Sequence, residues 1–100
     1  MEFGLSDKIV IVTGGAAGIG AAIVEMLAAQ RAIPVILDKT GPHPDTLECL
    51  LPQSPVADWI TVDLTIDDQC RAAVSEVLER HGKIDALVNN AGINDAVGLD

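Results

Sequence analysis

Glycines at positions 14, 15, 18 and 20 follow directly on the apolar run Ile9-Val10-Ile11-Val12 and Thr13, and a helical pattern opens behind them. In that setting the spacing Gly14-x-x-x-Gly18-x-Gly20 suits one kind of chemistry, the cradling of a phosphate. Glycine at 14 allows a sharp turn, with φ > 0 or with no Cβ in the way. Gly18 lets a ligand's phosphates approach the backbone, and Gly20 lets the helix pack tightly on the strand. The helix N-terminus presents unpaired N–H groups and a partial positive charge to a pyrophosphate. A glycine turn that merely joins strand to helix is the plainer reading, and the strand and helix patterns on either side weigh against it.

Asp38 is the second candidate. It closes the stretch PVILD, roughly 20 residues beyond the glycines, where an acid is the expected ribose ligand of a dinucleotide site. Its carboxylate can accept hydrogen bonds from both adenosine-ribose hydroxyls and would repel a 2′-phosphate, which favours NAD over NADP. Lys39 follows at once; a cation there can neutralise a 2′-phosphate, so NADP stays open as the alternative. A solvated acid at a strand end is the plain reading for any single Asp.

Other titratable residues read as structural. Asp67 and Asp68 suit the first turn of a helix and do not look like a paired-carboxylate acid/base site. His81 sits at that helix's C-terminus, where a cation interacting with the helix end explains it without catalysis. Cys49 and Cys70 lie at no metal-ligand spacing and read as small core hydrophobes, so no metal site is expected.

These residues need a scaffold, and the patterning supplies one. Residues 9–13 read as a parallel strand covered on both faces. From Ile19 to Gln30 a helix is expected, with Ile19, Ile23, Met26 and Leu27 on its apolar stripe and alanines adding propensity. Pro34 opens the second strand, completing a βαβ unit of about 30 residues. Between Pro42 and Pro55, residues 45–51 have room for two helical turns, with Leu47, Leu50 and Leu51 as the apolar side. Trp59 to Val62 reads as a third strand. Thr65-x-x-Asp68 resembles a capping box with Thr65 as N-cap, opening a helix from Ile66 to His81 that carries Cys70, Ala73, Val74, Val77 and Leu78 and that Gly82 stops. Asp85 leads into a fourth strand over 86–88, which ends in Asn89-Asn90-Ala91-Gly92.

Size and composition bound the rest. The 100 residues make one domain at most. Nearly half are hydrophobic (49%), so a packed core is expected. A formal charge of −9 argues against nucleic acid or an anionic membrane as partner, although solubility alone explains it. No signal peptide and no run of ~20 apolar residues is visible, and a soluble, cytoplasmic setting is the expectation.

Two stretches, TGGAAGIG at 13–20 and NNAG at 89–92, resemble the two signatures of the short-chain dehydrogenase/reductase family, at the right distance from one another. The resemblance runs through the whole chain, taking in Asp38 and Asp63-Leu64 on the way. It implies an α/β fold: a Rossmann-type, doubly wound parallel sheet in three α/β/α layers. The four visible strands are ordered 3-2-1-4, and the sheet is incomplete. Residues 1–100 would be the N-terminal part of a single NAD(P)-binding domain. The implied cofactor-binding residues are Gly14, Ala17, Gly18, Ile19, Gly20, Asp38, Asp63, Leu64, Asn90 and Gly92. Asp63 would accept from the adenine amine while the backbone of Leu64 meets the ring. Asn89 would tie neighbouring strands through its amide, and the backbone around Asn90 would face the nicotinamide-side ribose. Ala17 stands where NADP-preferring members often carry a cation, which again favours NAD. Arg31-Ala32 departs from the family, which usually has a glycine there.

The implied activity is reversible hydride transfer between a secondary alcohol or ketone and NAD, in an enzyme that assembles as a homo-tetramer. The family's catalytic Ser, Tyr and Lys would lie beyond Asp100, since the sequence holds no tyrosine; no catalytic residue is assigned within it. The loop Ile93 to Leu99 resembles that of L-fucose-type sugar dehydrogenases and suggests a sugar or polyol. The alternatives are a nucleotide-binding regulator without turnover and an inactive fragment acting only through protein contacts. A Rossmann methyltransferase fits poorly, for its glycine spacing differs.

Overall fold

A computed structural model describes residues 4–14, 18–41, 48 and 52–90. In chain order the elements are β1 (Ile9–Thr13), α1 (Gly18–Ala29), β2 (Ile33–Asp38), β3 (Asp58–Thr61), α2 (Asp67–His81) and β4 (Ala86–Asn89). The four strands form one parallel sheet in the order β3-β2-β1-β4. The fold is the Rossmann-type, doubly wound parallel sheet that the family resemblance implies. None of its described helices is long and apolar enough to cross a membrane.

Period-two alternation divides the core into two halves. Val10, Val12 and Ile36 face one way and pack with Val24, Leu27 and Ala28 of α1. Ile9, Ile11, Val35, Leu37 and Ile60 face the other way and pack with Ala73 and Val77 of α2. All five residues of β1 are therefore buried, which is why that strand reads as an unbroken β-branched run. The two helices lie on opposite faces, because the right-handed crossovers β1-α1-β2 and β3-α2-β4 run in opposite directions along the sheet.

The apolar stripe of α1 differs from the sequence reading. Val24, Leu27 and Ala28 are buried, whereas Ile19 and Met26 are exposed. The inward face is set by Gly20, which lies in close packing one turn before Val24, so the face runs 20, 24, 27, 28. Fully burying residues such as Val24 and Leu27 contributes about 1.5–3 kcal/mol each.

Strand bounds move slightly as well. β2 begins at Ile33, not Pro34. The ladder to β3 starts only at Val35↔Asp58, while Ile33 N–H donates toward β1, to Lys8 O at 2.8 Å. Pro34 thus sits on the β3 side before pairing begins, and its missing donor costs no ladder bond. Of residues 45–51, only Glu48 is among the described residues, in a helical turn; the short helix expected there lies otherwise outside them.

The capping box is corrected. α2 begins at Asp67, and its N-cap position is Ile66, which makes no side-chain cap. The Thr65 hydroxyl donates to Asp63 Oδ1 at 2.6 Å, a short bond to a charged acceptor two residues back. At the other end Gly82 stops the helix as expected, with φ 81° and its N–H on Leu78 O at 2.8 Å. Arg31, at the position where a glycine is usual, takes φ 65°, a left-handed conformation that disfavours a side chain.

Two acids tie the N-terminal edge of the sheet. Asp85 Oδ2 accepts from Ile9 N–H at 2.8 Å, and Asp85 N–H donates to Ile9 O. Asp58 at the head of β3 is held by Arg80 (2.8 and 2.9 Å) and faces His81 Nε2 at 3.1 Å. His81 therefore meets a carboxylate rather than only the helix end. Partial burial pushes the Asp58 carboxyl up, but hydrogen bonds from Arg80, Trp59 and His81 and the Arg80 charge outweigh it and hold it below its usual range. β4, by contrast, is open: Leu87 on the α2 side is 61% exposed.

Candidate cofactor-binding site

Because all four strands are parallel, their C-terminal ends share one edge of the sheet. Thr13-Gly14, Asp38, the segment leading to Asp63, and Asn89-Asn90 all end there. The connection leaving β1 runs to β2 and that leaving β3 runs back to β4, so the strand order reverses beside β1. Open α/β sheets bind ligands in the crevice at such a reversal.

At its centre the chain turns on Gly14, with φ 68°. Its N–H continues the ladder to Leu37 O at 2.9 Å, and its carbonyl accepts from Asn90 Nδ2 at 3.0 Å. Gly20, in the first turn of α1, closes on the same atoms. A Cβ at 20 would collide with the Gly14 carbonyl oxygen and would sit 2.6 Å from Asn90 Nδ2. Gly20 therefore lets the helix approach the turn and the Asn90 amide, rather than the strand itself. Gly18 begins α1, whose first turn holds no acid, so its positive end is left uncompensated. Ile19 stands 66% exposed beside it.

Both asparagines act as ties. Thr13 Oγ1 donates to Asn89 Oδ1 at 3.0 Å, joining β1 to β4. Asn90, only 5% exposed, holds the glycine turn through its side chain. The strand-tying part read for Asn89 is thus shared with Asn90, and Thr13, which the sequence reading passed over, is its partner. A threonine ending a buried strand is the signal that could have found it.

On the β2 side, Asp38 Oδ1 accepts from Thr40 N–H at 3.0 Å, and the Thr40 carbonyl accepts from Trp59 Nε1–H at 3.1 Å. Across β3, Asp63 Oδ1 accepts from the hydroxyl and the N–H of Thr65. These bonds, with a smaller contribution from the Lys39 charge, hold the Asp63 carboxyl below its ordinary range against slight desolvation. Leu64 packs against the α2-side core, and its carbonyl faces Cys70 Sγ at 3.3 Å. Ala17 and Gly92 lie outside the described residues. Among the described residues no cluster of His, Cys, Asp or Glu could hold a metal ion.

At this edge Gly14 and the N-terminus of α1 stand beside a carboxylate at the end of the adjacent strand. Known proteins resemble the chain along most of its length. L-fucose dehydrogenase of Bos taurus is 41% identical over 87 residues, covering 87% of this chain and 31% of its own length. The NADH-dependent reductase A1-R′ complexed with NAD superposes with a TM-score of 0.77 at 29% identity, covering 85% of this chain and 36% of that one. The L-sorbose reductase of Gluconobacter frateurii complexed with NADPH and L-sorbose superposes at 0.80 with 30% identity, covering 90% and 35%. The chain thus spans about a third of the length of these relatives. The family model described as short chain dehydrogenase matches residues 8–99, and the chain belongs to the short-chain dehydrogenase family.

Proposed function

We propose that residues 1–100 form the N-terminal part of a single dinucleotide-binding domain, supplying the cofactor site of a nicotinamide-dependent oxidoreductase. The observation that carries this is the juxtaposition of the Gly14–Gly20 turn, locked by Asn90, with Asp38 at the carboxyl end of the neighbouring strand. The residues fit such a group: the turn carries no side chains at 14, 18 and 20, and the helix end behind it favours anions.

Gly14, Ala17, Gly18 and Gly20 would hold the pyrophosphate against the first N–H groups of α1, with Ile19 offering an apolar surface beside it. Asp38 would accept from the adenosine-ribose hydroxyls, and Asp63 from the adenine amine, with Leu64 alongside the ring. Asn90 and Gly92 would line the nicotinamide-side ribose. When bound, the nicotinamide supplies a hydride acceptor and donor. The reaction is reversible oxidation of a secondary alcohol, with NAD preferred because Asp38 repels a 2′-phosphate. Relatives named for L-fucose and L-sorbose support a sugar or polyol as substrate. A cytoplasmic homo-tetramer goes with this reading.

The test is cofactor titration of the full-length protein. Asp38→Ala should weaken NADH about tenfold or more, as loss of charge-assisted hydrogen bonds implies, while NADPH is hurt less or gains. Equal losses for both cofactors would remove the ribose assignment. Failure of NAD to be reduced with any sugar or polyol, despite binding, would leave a nucleotide-binding regulator.

A further inference from the structure

We propose that Trp59 is a positioning residue for Asp38, and through it sets how sharply this protein separates NAD from NADP; the proposal rests on the ribose reading of Asp38. The turn after β2 is exposed at Lys39, Thr40 and Gly41, so packing does little to hold it. Two hydrogen bonds help to do so. Thr40 N–H is held by Asp38 Oδ1 at 3.0 Å, and the Thr40 carbonyl accepts from the Trp59 indole at 3.1 Å. A residue held through both its N–H and its carbonyl fixes the carboxylate that grips it.

Trp59 is a firm anchor. It pairs with Ile36 in register, and its ring packs against the core on the α1 side. Its main-chain N–H donates to Asp58 Oδ1 at 2.8 Å, and Asp58 is itself held by Arg80. The indole combines a large apolar body with one directed N–H donor, which is what a strut from core to turn requires. It is the sole tryptophan in the sequence. With the strut gone, the Asp38 carboxylate can swing aside; ribose hydroxyls lose an acceptor, and a 2′-phosphate meets less repulsion.

The experiment compares the full-length protein with Trp59→Phe, which keeps a ring and removes the N–H, and with Asp38→Ala. The readouts are the ratio of NADPH to NADH dissociation constants and the hydrogen exchange of the Thr40 amide. Trp59→Phe should lower the ratio roughly two- to tenfold, the value of one hydrogen bond, and speed Thr40 exchange. A merely structural tryptophan would move the melting temperature and leave the ratio alone. An unchanged ratio or unchanged Thr40 exchange in Trp59→Phe, with Asp38→Ala shifting the ratio, overturns the strut. A ratio unchanged in both variants removes the ribose reading and this proposal with it. In the unsubstituted protein, where folding is not in question, NADH should slow exchange of the Trp59 indole proton; indifference to NADH overturns the proposal equally.

Discussion

Replacing Gly20 by alanine tests the packing at the heart of the site. The added methyl would collide with the Gly14 carbonyl oxygen and lie 2.6 Å from Asn90 Nδ2 and 2.9 Å from the Gly14 carbonyl carbon. The Asn90 amide could swing away, but Gly14 is backbone, held to Leu37 by a 2.9 Å hydrogen bond. Overpacking of this kind costs about 1–3 kcal/mol. Losing the Asn90–Gly14 bond at a residue only 5% exposed leaves a buried amide unpaired, about 1–3 kcal/mol more. Higher helix propensity returns at most about 1 kcal/mol. The terms sum to a net loss of roughly 1–5 kcal/mol, read as a lowered Tm. Thermal unfolding followed by circular dichroism measures it. Gly41→Ala, where a Cβ meets nothing within 4 Å, is the control and should change stability by less than about 1 kcal/mol. A Gly20→Ala protein as stable as its parent would refute the close approach of α1 to the turn.

Two left-handed positions give effects of opposite sign. Gly82 at φ 81° has open space around it, so Gly82→Ala should cost about 1 kcal/mol by conformation alone, with Gly82→Asn costing less. Arg31 at φ 65° already carries that strain, and Arg31→Gly should stabilise by roughly 0.5–1 kcal/mol in urea titration. Asp58 sets part of the acid limit. Its folded-state value is depressed from 3.8, so its contribution is complete above that pH and lost as pH falls through the lower value. Asp58→Asn should therefore show a stability deficit that is constant from pH 7 to about 5 and closes below about 3.8. A deficit that persists unchanged in acid would remove the ionic role of Asp58.

Much was legible in the sequence because it rests on local rules. β1 had to be a two-sided buried strand, since five consecutive apolar or β-branched residues cannot alternate between core and water. Gly14 and Gly82 stood at a turn and at a helix stop, where glycine is expected, and both take positive φ. Strand order came with the family resemblance, and handed crossovers then set which face each helix covers. The family emerged from two motifs whose residue types match the backbone conditions they meet. Asp38 could be placed at the end of its strand by counting.

What only the tertiary structure decided are relations between residues far apart in sequence. Helical periodicity offers more than one stripe in a segment as apolar as α1; the contact of Gly20 with Gly14 and Asn90 selects the one containing Val24. Spacing alone does not say that Thr65 donates to Asp63 while the helix starts without a side-chain cap. Asp85 reads as a strand lead-in until β1 is set beside it, and Trp59 as the start of a strand until the Thr40 carbonyl meets its indole N–H. Hydrogen bonds between distant segments obey geometry that spacing does not encode, and in this protein those bonds hold the candidate site in place.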